Sequence, residues 1–135
     1  MACCDYFAQQ GAHVIITPKL HYKDPLYKLI YNSLDNTEFW GRCPDFSVNG
    51  VWYEHEGYNE SKELESQKKK SDTFCNMLRR GVRQSDRIIV EDCGVGRFFA
   101  KRTIYNRIRF EHQNISEVYI RTSDSLELLY KKGEG

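Results

Sequence analysis

A chain of 135 residues, 40% hydrophobic and 29% charged, suits a single domain, is too apolar for a disordered segment, and lacks the run of roughly 18 apolar residues that a membrane span needs. Its start, MACCDYFAQQ, has neither the basic nor the apolar region of a secretory signal, so a cytoplasmic protein with no membrane partner is expected. The net charge of +1 hides a cluster: residues 68–111 carry 12 Lys/Arg against 5 Asp/Glu, whereas residues 1–67 carry 5 against 10. Such clustering is the footprint of a polyanion-binding face, and equally of a solvated helix surface.

Residues 1–12 carry no pattern and are expected to be a flexible end, like residues 131–135. His13–Thr17 is a β-branched run ended by Pro18 and predicts a strand. Pro25 stands at the favoured first position of a helix, with Asp24 as its cap and Leu26, Leu29, Ile30 and Leu34 as an apolar stripe expected to pack on a sheet. Cys43–Val48 and Val51–Gly57 are joined by Asn49-Gly50, the strongest short signal for a two-residue type I′ hairpin. That turn sets the register: facing residues sum to 99, so Phe46 meets Tyr53 and Asp45 meets Glu54. Glu56 shares the face of Glu54, and His55 points the other way.

Beyond the polar stretch 59–70, Phe74, Met77, Leu78 and Val82 mark a helix over Ser71–Val82 that starts as early as Ser61 at the outer limit. Ile88–Val90 is an unbroken β-branched run and predicts a central strand. Arg97–Phe110 predicts a second basic helix with Phe98, Ala100, Ile104, Tyr105 and Ile108 near helical spacing, and Val118–Ile120 with Leu126–Tyr130 a last strand pair. The fold class is therefore α+β, one domain with a mixed or antiparallel central sheet, a 43–57 hairpin and flanking helices. Five cysteines at irregular spacing exclude a disulfide framework and a zinc knuckle.

Like charges directly opposite in a hairpin repel, so Asp45 facing Glu54 calls for a divalent cation, a basic side chain or a shared proton. Asp45, Glu54 and Glu56 offer the oxygen ligands that Mg²⁺ or Mn²⁺ prefer, with Asp45 and Glu54 as the metal-binding pair; a surface ion-pair network is the alternative. Asn76, Arg79, Arg80 and Arg83 fall at helical spacings of three to four, which lets parts of the set share a face toward a phosphate backbone. Lys19, Lys23 and Arg87 complete the candidate nucleic-acid contacts. His21, in the basic and aromatic loop Lys19–Lys23, and Gln84, ahead of the Ile88–Val90 strand, are further catalytic candidates.

Pro44-Asp45, a turn, and Glu54-His55-Glu56 resemble the PD-(D/E)xK nuclease core, with Glu56 at the place usually held by lysine. A longer resemblance, over residues 19–132, rests on PDF-x-x-x-G-x-x-x-E, the basic helix ending NMLRRGVRQSDRIIV, a second helix and EVYIRTSDSLELLY. In that order the chain resembles the C-terminal tRNA-nuclease domain of CdiA-type toxins, grouped with the barnase–EndoU–colicin–RelE-like ribonucleases. That resemblance implies cleavage of tRNA or other RNA by attack of a ribose 2′-hydroxyl, no cofactor, and a cognate immunity protein as partner. It places function at the Asp45/Glu54 pair and the Gln84-Ser85 junction. The PD-(D/E)xK resemblance implies instead a Mg²⁺- or Mn²⁺-dependent DNase. Glu56 in place of lysine suits a third expectation, a nuclease-fold module that binds nucleic acid without cutting it.

Overall fold

The computed structural model describes residues 2–59, 66–123 and 125–133. Six strands form one sheet in chain order: β1 (Val14–Ile16), β2 (Phe46–Val48), β3 (Val51–Glu56), β4 (Arg87–Glu91), β5 (Glu117–Arg121) and β6 (Leu126–Lys131). β1, β2 and β3 are antiparallel, β3–β4 and β4–β5 are parallel, and β5–β6 is antiparallel again. Parallel neighbours need crossover connections. Helix α3 (Gln67–Gly81) lies in the first of them and helix α4 (Arg97–Phe110) in the second. The fold is thus α+β with a mixed sheet, as the order of patterns implied.

The β2–β3 turn has Asn49 at φ 51° and Gly50 at φ 82°, the left-handed pair that a type I′ turn requires. Its register pairs Phe46 with Tyr53 and Val48 with Val51. Gly50 carries a conformation that a side chain would strain.

The sheet's two faces are covered differently. On one, α3 and α4 bury Phe74, Met77, Leu78, Ala100, Ile104 and Ile108 against Ile88, Val90, Val118 and Ile120. On the other, α1 (Ala2–Gln9) places Phe7 on Phe46, Tyr53, Ile89 and Tyr119, its ring centroid 5.1 Å from that of Tyr53. Residues 1–12, expected to be a flexible end, thus supply the cover of that face. Eight residues that bury Cys4 and Phe7, with Tyr6 packed beside them, are too short for a periodic signal, and packing on the sheet stabilises them.

Two apolar stripes differ from expectation. Asp24 caps α2 (Pro25–Ile30), accepting from Leu26 N at 2.9 Å, but Leu26 and Leu29 are exposed and the buried face is Tyr27, Tyr31 and Leu34. The tyrosines win because their hydroxyls serve the irregular loops around them: Tyr27 Oη donates to Arg42 O and accepts from Gly41 N, each at 2.7 Å, and Tyr31 Oη donates to Pro18 O. Leucine offers those backbone groups nothing. In α4 the buried row is Ala100, Ile104 and Ile108, spaced by four, while Phe98 is 93% exposed and Tyr105 lies at the rim. Helix α3 begins at Gln67 behind an Ser66 cap, and Ser61 lies outside the described residues.

Candidate functional site

Three local constraints build the site. The hairpin register pairs Phe46 with Tyr53 and brings Asp45, just ahead of β2, beside β3, where Glu54 and Glu56 share the face toward α3. The aromatic cluster of Tyr27, Tyr31 and Trp52 holds the 18–20 and 40–45 loops side by side. Thr17 then bonds to Asp45 O and Pro44 O through its N–H and hydroxyl, and Cys43 Sγ donates to Leu20 O. Lys19 is carried to the carboxylates by these bonds. Its ammonium sits 2.8 Å from Asp45 Oδ1 and also donates to Cys43 O.

Each carboxylate is held differently. Asp45 accepts from Lys19 and, through Oδ2, from His55 N at 2.8 Å. Glu56 accepts from Arg80 Nε at 3.0 Å, and Arg80 also donates to Gly57 O. Glu54 is 93% buried and its Oε1 has no hydrogen-bond partner among the described residues. Burial first, then the Asp45 charge and the close Glu56 carboxylate, push Glu54 up to about 9, against the weaker pull of Lys19. At neutral pH it therefore holds a proton unless another cation arrives. A buried carboxyl that shares a proton with Glu56 and leaves Oε1 unbonded costs stability that an apolar residue would not cost.

Gly81 shapes the wall of this site. A Cβ there would fall 2.6 Å from Ile88 Cγ2 and 3.3 Å from Glu56 Cγ, so glycine lets α3 settle directly against β3 and β4 beside Glu56.

The predicted residues divide clearly. Asp45, Glu54 and Glu56 converge, and Lys19, expected only to contact nucleic acid, joins them. His21 is spent elsewhere, stacked on Tyr22 with centroids 4.6 Å apart and accepting from Lys23 N. Gln84 lines a separate cleft with Ser33, Trp52 and Arg87 at the other end of β3. Lys23 lies near the Tyr22 ring. Arg80 belongs to the site, whereas Arg79 and Arg83 border a polar cleft with Glu38, Glu111 and His112. Arg87 is on the opposite sheet face, bonded to Glu117 Oε2 at 2.6 Å.

That opposite face carries a network the sequence reading missed. His55 Nε2 lies 2.7 Å from Glu91 Oε1, Arg121 Nε donates to the same oxygen, and Tyr53 Oη and Arg87 serve Glu117. Burial alone would raise Glu91, but the bonds from His55 and Arg121 outweigh it and hold the carboxyl below its usual range. The signal was alternation: Tyr53 and His55, Ile89 and Glu91, Tyr119 and Arg121 share a face once β3, β4 and β5 are known to be parallel neighbours.

Asp45 and Glu54 are the two carboxylates that would hold a hard divalent cation. It would supply the missing partner of Glu54 Oε1 and offset the charge of Asp45, and Mg²⁺ or Mn²⁺ is commonly held by one or two carboxylates with water completing the shell. Among the described residues no group of three or more His, Cys, Asp and Glu could hold a metal ion. Two carboxylates, Asp45 and Glu54, remain, since Glu56 is bonded to Arg80. No family model, no curated protein and no solved structure matches the chain.

Proposed function

We propose that this protein is a nuclease whose site is the Asp45–Glu54–Glu56 cluster with Lys19, and that Asp45 and Glu54 hold a divalent cation. The observation that carries this reading is the buried, unpartnered Oε1 of Glu54 facing a second carboxylate. When bound, such a cation polarises a phosphoryl oxygen and lowers the pKa of water. The chain's own residues do the rest. Lys19, with 59% of its side chain exposed, presents its ammonium to an incoming phosphate while it orients Asp45. Arg80 anchors Glu56 and adds a second cation beside the site. Glu54 holds its proton at neutral pH, and a cation bound there would displace that proton.

The cation-dependent chemistry goes with DNA, as the PD-(D/E)xK resemblance implies, whereas the longer 19–132 resemblance favours tRNA or other RNA cut without a cofactor, with a cognate immunity protein as the partner of a toxin. The lysine absent at Glu56 is supplied by Lys19 from outside the hairpin, which supports an active enzyme over a binding module that cannot cut.

The test is incubation of purified protein with total tRNA and with single- and double-stranded DNA, in Mg²⁺, in Mn²⁺ and in EDTA. Discrete fragments that need the cation and vanish in folded Asp45→Asn and Glu54→Gln variants are expected. Cleavage that survives EDTA moves the chemistry to the metal-free ribonuclease route. Cleavage of no substrate, with binding intact, ends the enzyme reading.

A further inference from the structure

A cleft of about 440 Å³ opens where β3 ends, lined by Gly57, Tyr58, Asn59, Thr73, Asn76 and Arg80. Among the described residues that line it none is acidic. Its floor on the helix side is a polar stripe: Thr73, Asn76 and Arg80 recur at i, i+3 and i+7 of α3, next to the buried row of Phe74, Met77 and Gly81. Its link to the candidate site is physical. Arg80 forms the shared wall, with Nε on Glu56 Oε2 at 3.0 Å and its terminal nitrogen on Gly57 O at 2.9 Å. Along β3, Gly57 lies three residues beyond Glu54, about 10 Å of strand.

We propose that this cleft is a nucleobase subsite for single-stranded nucleic acid, receiving the base of a nucleotide adjacent to the phosphate at Asp45 and Glu54. The position of that phosphate rests on the nuclease reading; the cleft's own chemistry does not. Its volume falls in the range of small-molecule pockets, ample for a base with its sugar. Tyr58 offers an aromatic surface, and stacking on such surfaces is how unpaired bases are held. Asn76 and Thr73 offer hydrogen-bonding groups for a base edge. Arg79 Nη1 donates to Asn76 Oδ1 at 3.2 Å, which engages that oxygen and leaves the NH₂ as the group that a base edge would meet. Arg80 stands between base and scissile position, where a backbone phosphate passes. A duplex keeps its bases stacked and inside; only an unpaired or extruded base can enter a pocket of this kind.

The experiment measures equilibrium binding of short labelled homopolymers of each base, as RNA and as DNA, with the corresponding duplexes, all in EDTA so that binding is read apart from cleavage. Single strands are expected to bind more tightly than duplexes, with unequal affinities among the four bases, and the RNA and DNA arms separate the two sources of the base. Asn76 is exposed on a helix, where alanine is well tolerated. Asn76→Ala should therefore keep its melting temperature and Mn²⁺ affinity while losing about tenfold in single-strand affinity, roughly one good hydrogen-bond set, and flattening the preference among bases. Asn76→Asp should lose more. Asp45→Asn should lose Mn²⁺ binding and cleavage but keep the base preference. Wild-type affinity and preference in Asn76→Ala, or a wild-type preference for duplex, overturns the subsite whether or not the protein cuts. Preference lost in Asn76→Ala, in a protein that cuts nothing, supports the subsite and removes the nuclease reading.

Discussion

The two faces of one sheet carry buried carboxylates in opposite states. On the α1 face Glu91 and Glu117 are saturated: His55 and Arg121 bond the first, Arg87 and the Tyr53 hydroxyl the second. On the α3 face Asp45 and Glu54 oppose one another, and Glu54 Oε1 is without a partner among the described residues. The electrostatic outcome follows, with Glu91 held below its ordinary range and Glu54 raised to about 9. Saturated buried charges specify and stabilise a fold, whereas unsatisfied ones lower its stability and persist where a ligand completes them. That contrast, more than the count of acids, separates the candidate site from the structural network.

The comparison can be broken most directly at Glu54. Glu54→Gln should reduce cation-dependent cleavage by at least about 100-fold, the scale of losing a principal electrostatic group in a hydrolytic site. Thermal melts at pH 8 in EDTA should show this variant as stable as the parent or more so. A Glu54→Gln protein that cuts normally would place the chemistry elsewhere.

Glu91→Ala should do the reverse. It strands His55 and Arg121 and should cost about 3–5 kcal/mol in urea unfolding, as removal of one partner from a buried ion pair does, while the cleavage rate per folded molecule stays at the parent level.

Gly81→Ala tests the wall beside Glu56. With Ile88 and Glu56 too close for a Cβ, the helix must shift, at about 1–3 kcal/mol of overpacking. Lower activity than the stability loss explains would locate Glu56 in the working site.

The smallest and most diagnostic effect is the pH slope of stability without metal. Glu54 has a raised folded pKa, so its contribution is complete below about pH 4.5 and is lost as pH rises through about 9. Glu91 has a depressed one, so its contribution is present above about pH 4.5 and is lost as pH falls through its lower folded value. Urea midpoints from pH 4 to 9 should therefore flatten at the alkaline end in Glu54→Gln. Saturating Mn²⁺ should remove the same slope in the parent and release protons on binding.

Much of this was legible in the sequence for local reasons. Asn49-Gly50 determines its own turn and, through a period of two, the opposition of Asp45 and Glu54 and the outward turn of His55. Pro25 with Asp24, and the row Phe74, Met77, Leu78, determine where helices start and face. Each of these depends only on residues a few positions apart. Where packing partners are distant in sequence, the chain alone misleads. Leu26 and Leu29 read as a core stripe, yet Tyr27 and Tyr31 are buried because loop carbonyls 13 and 15 residues away need their hydroxyls. Helix α1 exists because Phe7 finds Tyr53 and Tyr119.

The same division runs through the candidate site. The sequence by itself determined the acidic pair, because a two-residue turn leaves one register. Only the tertiary structure decided that Lys19 would meet Asp45 and Arg80 would meet Glu56, respectively 26 and 24 residues away, while His21 and Gln84 would not join them. It also decided that one carboxylate would be buried without a partner. Burial and long-range pairing are properties of the assembled sheet, and no local pattern encodes them.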